Sequence, residues 1–122
     1  MTRAVSSARE VAVQYYKAVT RLDVEVAARF LADEFVCYAP RGGAITSREI
    51  YKTILFDHMS SLTRSTLIAA HGDDESAILY YVNEFENVGA IHTAEYVIVS
   101  DGKILSSRVI FDRLDFESRY SV

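Results

Sequence analysis

The spacing of apolar residues changes at Leu62, and this change restricts the possible folds most. Before Leu62 the apolar residues recur at the spacing of amphipathic helices. After Leu62 the chain is rich in Ile, Val, Tyr, Phe and Thr, which alternate with polar residues as in strands. Helices followed by a run of strands predict an α+β domain rather than an alternating α/β one.

Three helices are predicted in the first half of the chain, over residues 7–21, 24–32 and 47–61. The first begins with the capping-box pair Ser7 and Glu10, in which each side chain satisfies a free backbone donor of the other residue. Asp23 is placed to cap the second helix. The spacing of Thr46 and Glu49 predicts another capping box before the third helix.

The second half predicts a mostly antiparallel sheet, with strands over 63–71, 76–87, 90–100 and 103–114. Short turns separate these strands, and Asp101 with Gly102 is a strong hairpin signal because both positions of such a turn need positive φ. A shorter run from Phe35 to Tyr38 ends at Pro40. Because proline cannot donate to a strand ladder, this run is predicted to be an edge strand.

The turn at Asp101 and Gly102 sets the expected register of the last hairpin. It pairs Glu95 with Arg108, an opposite-charge pair that favours this register. Alternation then predicts one face that carries His92, Ala94, Tyr96, Ile98, Leu105, Ser107, Val109 and Phe111. The other face is predicted to carry Thr93, Glu95, Val97, Val99, Ile104, Ser106, Arg108, Ile110 and Asp112.

A two-residue turn at Val88 and Gly89 would extend the first face onto strand 76–87. Polar groups then lie among apolar neighbours on that face, at Tyr81, Asn83, His92, Tyr96 and Ser107. A few polar groups in an apolar lining are typical of a small-molecule site. A bulge would reverse every assignment, so the face that strand 76–87 presents stays open.

The order of elements resembles the NTF2-like superfamily and, within it, the SnoaL-like branch. The resemblance rests on the segments 15–23, 30–35 with the following Pro40, and 101–112, and it covers about residues 8–116. It implies a single cystatin-like domain over 1–122, a cone in which three helices pack against a curved, mostly antiparallel sheet and leave an apolar pocket. The superfamily includes ketosteroid isomerases, epoxide hydrolases, polyketide cyclases and dehydratases.

The resemblance transfers only part of the catalytic sets of these enzymes. Tyr15 matches the tyrosine that holds the oxyanion in ketosteroid isomerases, but Ala39 stands where their catalytic Asp precedes the proline. The position of their second oxyanion donor, an Asp on the penultimate strand, corresponds to a position near Tyr96 in this sequence. Val109 stands where cyclases and epoxide hydrolases have an acidic residue on the last strand. Asp112 matches their terminal Asp, but alternation places it on the opposite face, where a structural role is the alternative.

His92 is the predicted proton-transfer residue because the ordinary pKa of histidine lies near neutrality. The predicted ligand-binding residues are Tyr15, Tyr38, Tyr81, Asn83, Tyr96, Ser107 and Phe111. The alternative for each is structural: a partly buried histidine with a hydrogen bond, or tyrosines that fill the core. No Gly-rich phosphate loop, metal-ligand spacing or second cysteine besides Cys37 occurs, so no cofactor or metal is expected.

Two classes of function remain open. The first is an enzyme that isomerises, cyclises or dehydrates a small apolar or carbonyl-containing compound by proton transfer. The second is a ligand-binding or assembly module without catalysis, favoured by the missing acidic residues at Ala39 and Val109. An open pocket at which His92 converges with Tyr96 would favour the enzyme, and a cavity filled by aromatic side chains would favour the module.

Composition and charge restrict the partners. The net charge is -4, whereas nucleic-acid-binding domains usually carry a basic excess. No apolar run approaches the roughly 18 residues of a membrane span, and the first residues lack the apolar segment of a secretion signal. We therefore expect a cytoplasmic protein that binds neither nucleic acid nor membranes.

The resemblance also implies a homodimer that pairs through the convex face of the sheet. The register above places apolar residues on that face, together with Glu95 and Arg108: Val97, Val99, Ile104 and Ile110. Exposed apolar strips of this kind usually mark an interface.

Overall fold

The computed structural model describes residues 7–40 and 42–111, and Asp112 lies outside these residues, as does the end of the last predicted strand. The helices are α1 (Ala8–Thr20), α2 (Val24–Arg29) and α3 (Arg48–Met59). The strands are β1 (Leu31–Tyr38), β2 (Ala44–Ile45), β3 (Leu62–Gly72), β4 (Ser76–Phe85), β5 (Gly89–Ser100) and β6 (Lys103–Phe111). The predicted α+β fold, with helices before a run of long strands, is confirmed.

The strands form one sheet in the order β2-β1-β6-β5-β4-β3. Neighbours are antiparallel except β1 and β6, which are parallel. The prediction of β1 as an edge strand was wrong, because the two-residue strand β2 pairs with its end at Cys37 and Tyr38. The second helix is shorter than predicted, since β1 begins at Leu31.

The helix starts follow from local hydrogen bonds. The capping box of α1 is confirmed: Glu10 N–H donates to Ser7 Oγ over 3.1 Å, and Ser7 N–H donates to the Glu10 carboxylate over 3.2 Å. Asp23 caps α2, as predicted. Helix α3 is capped by Ser47 and not by Thr46, because the helix begins one residue later and Ser47 Oγ accepts from Ile50 N–H.

The inner face of the sheet packs against α1, and α3 lies against β1 and β2. The core between them is apolar and includes Val11, Leu31, Phe35, Leu79, Val97 and Ile104. Phe35 is 1% exposed. Burial of these side chains is the main favourable contribution to folding and fixes which face of each strand points inward.

The β5–β6 hairpin starts in the predicted register and then changes. Ser100 pairs with Lys103, as expected, but a bulge at Leu105 shifts the register further along the strands. Glu95 therefore pairs with Val109 and not with Arg108. One extra residue in a strand reverses the direction of every side chain beyond it. Ser107 thus shares the inner face with Glu95, and Arg108 lies on the outer face.

The β4–β5 turn also differs from the prediction. Phe85 pairs with Gly89, so residues 86–88 form the turn, with Asn87 at a positive φ of 66°. This three-residue turn pairs Tyr81 with Thr93 instead of Tyr96. The inner face of β4 and β5 therefore carries Tyr81, Asn83, Phe85, Ile91, Thr93 and Glu95. The predicted inner positions of His92 and Tyr96 were wrong, since both residues lie on the outer face.

Candidate functional site

A cavity of about 220 Å³ opens between α1, α3 and the inner face of the sheet. Its walls are mostly apolar and aromatic, and include Val19, Ile45, Leu55, Met59, Phe85, Ile91, Val109 and Phe111. The polar groups on the walls are Tyr15, Tyr16, Thr20, Cys37, Tyr51, His58, Tyr81, Asn83, Thr93 and Glu95. Phe85 and Phe111 line the space without filling it. An apolar cavity with a few polar groups is typical of a small-molecule site.

Glu95 places a carboxyl group in the wall of this cavity. It is only 6% exposed. Tyr81 donates its hydroxyl hydrogen to one carboxyl oxygen of Glu95 over 2.8 Å, and Ser107 donates to the other over 2.6 Å. Among residues 7–40 and 42–111, no basic side chain forms an ion pair with Glu95.

Burial raises the pKa of Glu95 because the charged form loses its hydration. The hydrogen bonds from Ser107 and Tyr81 favour the charged form and offset part of this effect. A carboxyl group with a raised pKa is a stronger base than an ordinary carboxylate, which suits proton transfer. Such groups are candidates for catalysis when they lie in a cleft.

A pair of tyrosines forms the second polar feature of the cavity. The hydroxyl oxygens of Tyr15 on α1 and Tyr51 on α3 lie 2.5 Å apart. One hydroxyl donates to the other, so the second hydroxyl hydrogen has no acceptor among residues 7–40 and 42–111 and is available to a ligand. Burial, together with nearby acidic groups that include Glu95, raises the pKa of both tyrosines well above the ordinary value. Both therefore stay protonated and act as hydrogen-bond donors, not as bases.

His58, near the end of α3, is another titratable group on the cavity wall. Its ring packs against Phe85 with the ring centres 5.0 Å apart. Burial lowers the pKa of His58, so its imidazole is favoured in the neutral form. A neutral imidazole can accept a proton. Burial raises the pKa of the Cys37 thiol to about 12, so this cysteine is not a nucleophile at neutral pH.

The structure brings together four of the predicted ligand-binding residues on the cavity wall: Tyr15, Tyr81, Asn83 and Phe111. A fifth, Ser107, is buried behind the wall and contacts Glu95. Tyr38 lies elsewhere, with the Arg108 guanidinium 4.5 Å from its ring centre.

The other two predicted site residues also lie away from the cavity, on the outer face. The hydroxyl oxygen of Tyr80 lies 2.5 Å from Nδ1 of His92. Tyr96 is 43% exposed. His92 and Tyr96 do not converge at the cavity, because the changed register turns both of them outward.

Sequence reasoning missed several polar residues of the wall, among them Glu95, Tyr51 and His58. Glu95 was expected on the outer face because the bulge at Leu105 was not foreseen. Tyr51 and His58 both lie on α3 and line the cavity. They are seven residues apart, about two helical turns, so a helical wheel would have shown them on one face.

No family model matches the sequence, and no curated protein matches it. Several solved structures, however, match this chain. A protein from Kribbella flavida DSM 17836, described only as having a known function, is 33% identical over 94% of each chain, with a TM-score of 0.88.

Two enzyme-like structures share the fold at lower identity. A steroid delta-isomerase from Pseudomonas aeruginosa is 14% identical, with 93% of this chain and 85% of that chain covered and a TM-score of 0.76. A candidate SnoaL-like polyketide cyclase from Shewanella putrefaciens CN-32 is 11% identical, with 91% and 83% covered and a TM-score of 0.75. The same fold is described in other matching structures as NTF2-like and cystatin-like.

Within the described residues, no helix has the length and apolar character needed to cross a membrane. The same part of the chain holds no group of three or more His, Cys, Asp or Glu side chains arranged to bind a metal ion.

Proposed function

Since this chain has the fold of NTF2-like and SnoaL-like structures, we propose that it catalyses proton transfer on a small, largely apolar carbonyl compound. The compound would bind in the cavity, and Glu95 would take and return the proton. One observation carries the proposal: a buried carboxyl group on the cavity wall, with a raised pKa and without a basic partner among the described residues.

The tyrosine pair supplies the complementary group. The free hydroxyl hydrogen of Tyr15 or Tyr51 would bond to the carbonyl oxygen of the ligand. Glu95 would then remove a hydrogen from the carbon next to the carbonyl. The electrons of the broken C–H bond form a C=C bond, and the oxygen gains the negative charge that the tyrosine stabilises.

The fate of this enolate defines the reaction class. Return of the proton from Glu95 at another carbon gives isomerisation. If a hydroxyl group on the next carbon takes the proton from Glu95 and leaves as water, the reaction is a dehydration. If the enolate carbon attacks a second carbonyl of the same molecule, whose oxygen takes that proton, the reaction is a cyclisation. All three reactions share the first proton transfer, so that step can be tested without knowledge of the natural substrate.

The test is exchange of the α-hydrogens of 1-tetralone with D₂O, followed by NMR. This probe is a small apolar ketone whose exchange needs only the first step. We expect the protein to accelerate exchange above the rate in buffer, with saturation by 1-tetralone. Exchange at the buffer rate would reject proton transfer and favour the second class, a ligand-binding module.

The outer face of the sheet supports a further proposal, that the chain forms a homodimer. The sequence-based prediction of which residues lie on this face was largely wrong, because four of them are buried on the inner face: Glu95, Val97, Val99 and Ile104. The outer face instead carries large exposed apolar side chains: Ile78, Tyr80, Tyr96 and Ile110. Such a patch on one sheet face is typical of an interface between subunits.

Ile110→Glu tests the dimer because it places a charge on this patch. We expect the unmodified protein to sediment at about twice its 13.7 kDa chain mass, and the variant at the chain mass. Ile50→Glu on α3 is the matched control, since Ile50 and Ile110 are both 58% exposed. A 13.7 kDa species for the unmodified protein at micromolar concentration would contradict the proposal.

A further inference from the structure

A second chain of hydrogen bonds ends at the cavity, separate from the one at Glu95. Ser65 on β3 donates to the side-chain oxygen of Asn83 on β4 over 2.6 Å. The hydroxyl oxygen of Tyr16 on α1 lies 2.5 Å from the Ser65 hydroxyl oxygen. Because the single hydroxyl hydrogen of Ser65 is used on Asn83, Tyr16 must be the donor to Ser65. Two elements, β3 and α1, thus hold the Asn83 amide on β4 in one orientation.

This orientation leaves the Asn83 amide nitrogen without a partner in the part of the chain that the structure describes. Asn83 is only 5% exposed and lines the cavity. Its oxygen is occupied by Ser65, so both hydrogens on its nitrogen remain as donors. Buried polar groups in proteins are nearly always paired. An unpaired buried donor on a cavity wall therefore indicates a position where a ligand acceptor binds.

Asn83 and Glu95 lie at different ends of the cavity wall. Glu95 pairs across the ladder with Leu79, which lies four residues before Asn83 on β4. At about 3.3 Å per residue, the two positions are about 13 Å apart along the strand direction. The wall between them includes Tyr81, whose ring packs on that of Tyr16 with the centres 5.1 Å apart. Asn83 and Glu95 thus offer two widely separated polar positions on a mostly apolar wall.

We propose that Asn83 determines specificity and that the cavity selects a ligand with an oxygen function at each end of an apolar body. The oxygen at the Asn83 end is a hydrogen-bond acceptor such as a carbonyl. Ser65 and Tyr16 are positioning residues that hold the amide. This inference rests on the proposed function only in placing the ligand in the cavity, and it does not require that Glu95 transfer a proton.

The experiment compares 6-acetyl-2-naphthol with 6-ethyl-2-naphthol. The two probes differ only in that the first has a carbonyl group where the second has a CH2 group. Their fluorescence gives dissociation constants with each protein. We expect the unmodified protein to bind the acetyl probe about tenfold more tightly than the ethyl probe, because one good hydrogen bond changes a dissociation constant by about this factor. In Asn83→Leu this preference falls to below about threefold, while affinity for the ethyl probe is retained.

Two further variants separate the possible failures. Ser65→Ala removes only the hydroxyl group that holds the Asn83 amide, so we expect it also to reduce the preference for the acetyl probe. This variant is the test if Asn83→Leu does not fold. Glu95→Gln keeps the preference, whatever its effect on hydrogen exchange. The proposal is overturned if the unmodified protein does not prefer the acetyl probe to the ethyl probe, or if it binds neither probe. The proposal is also overturned if Asn83→Leu keeps the full preference for the acetyl probe. If Asn83→Leu does not fold, an unchanged preference in Ser65→Ala overturns the proposal.

Discussion

We expect replacement of Glu95 by glutamine to lower the rate of 1-tetralone hydrogen exchange by at least about 100-fold, the usual contribution of a general base. Glutamine has nearly the same size and keeps an oxygen that accepts from Tyr81. The shape of the cavity and the tyrosine pair are therefore preserved, while the group that takes the proton is lost. The measurement is the initial rate of deuterium incorporation by NMR.

Glu86→Gln is the matched control for this rate. It makes the same chemical change at an exposed residue in the β4–β5 turn, away from the cavity. We expect its exchange rate to equal that of the unmodified protein. A Glu95→Gln variant that is folded and retains more than about one-tenth of the rate would contradict the assignment of Glu95 as the base.

The same variant changes how stability depends on pH. Burial raises the pKa of Glu95 in the folded protein above its ordinary value of 4.5. As pH rises above 4.5, the unfolded chain loses this proton first, so the free energy of unfolding falls until the folded protein is also ionised. Glu95 therefore destabilises the protein at neutral pH relative to acid pH. Each pKa unit between the two states corresponds to about 1.4 kcal/mol.

Urea unfolding of both proteins between pH 4.5 and pH 8 checks this expectation. Glu95→Gln gains stability relative to the unmodified protein as pH rises, because glutamine does not titrate. The lowered pKa of His58 acts in the opposite direction, but it is common to both proteins and cancels in the difference. A stability difference that is the same at every pH would show that the Glu95 pKa is not raised by folding.

The sequence was sufficient for the features that depend on local chemistry. The capping box at Ser7 and the hairpin turn at Asp101 were correct because a few neighbouring residues determine them. The change from helical to alternating spacing at Leu62 gave the α+β fold. These features were enough to place Tyr15 on the inner side of the first helix.

The site was harder to predict because it depends on register. A bulge at Leu105 adds one residue to β6, and no turn residue marks it in the sequence. A three-residue turn with Asn87 at positive φ replaces the expected turn at Val88. Each difference moves whole strands relative to their neighbours, so Glu95 turned inward and His92 outward.

The observed register places a carboxyl group in the cavity although no acidic residue precedes Pro40. The resemblance to ketosteroid isomerases left Ala39 where their catalytic Asp is expected. Ala39 does line the cavity. A carboxyl group reaches the same cavity from β5 instead, at Glu95. The site can thus hold a base without an acidic residue before the proline.

The most direct test of the proposed chemistry is an NMR titration of the Glu95 side-chain carboxyl carbon, assigned by comparison with Glu95→Gln. We predict a midpoint above the ordinary value of 4.5 and a further change when 6-acetyl-2-naphthol is added, because the carboxyl group lies in the ligand cavity. A midpoint at or below 4.5 that the ligand does not move would contradict the role of Glu95.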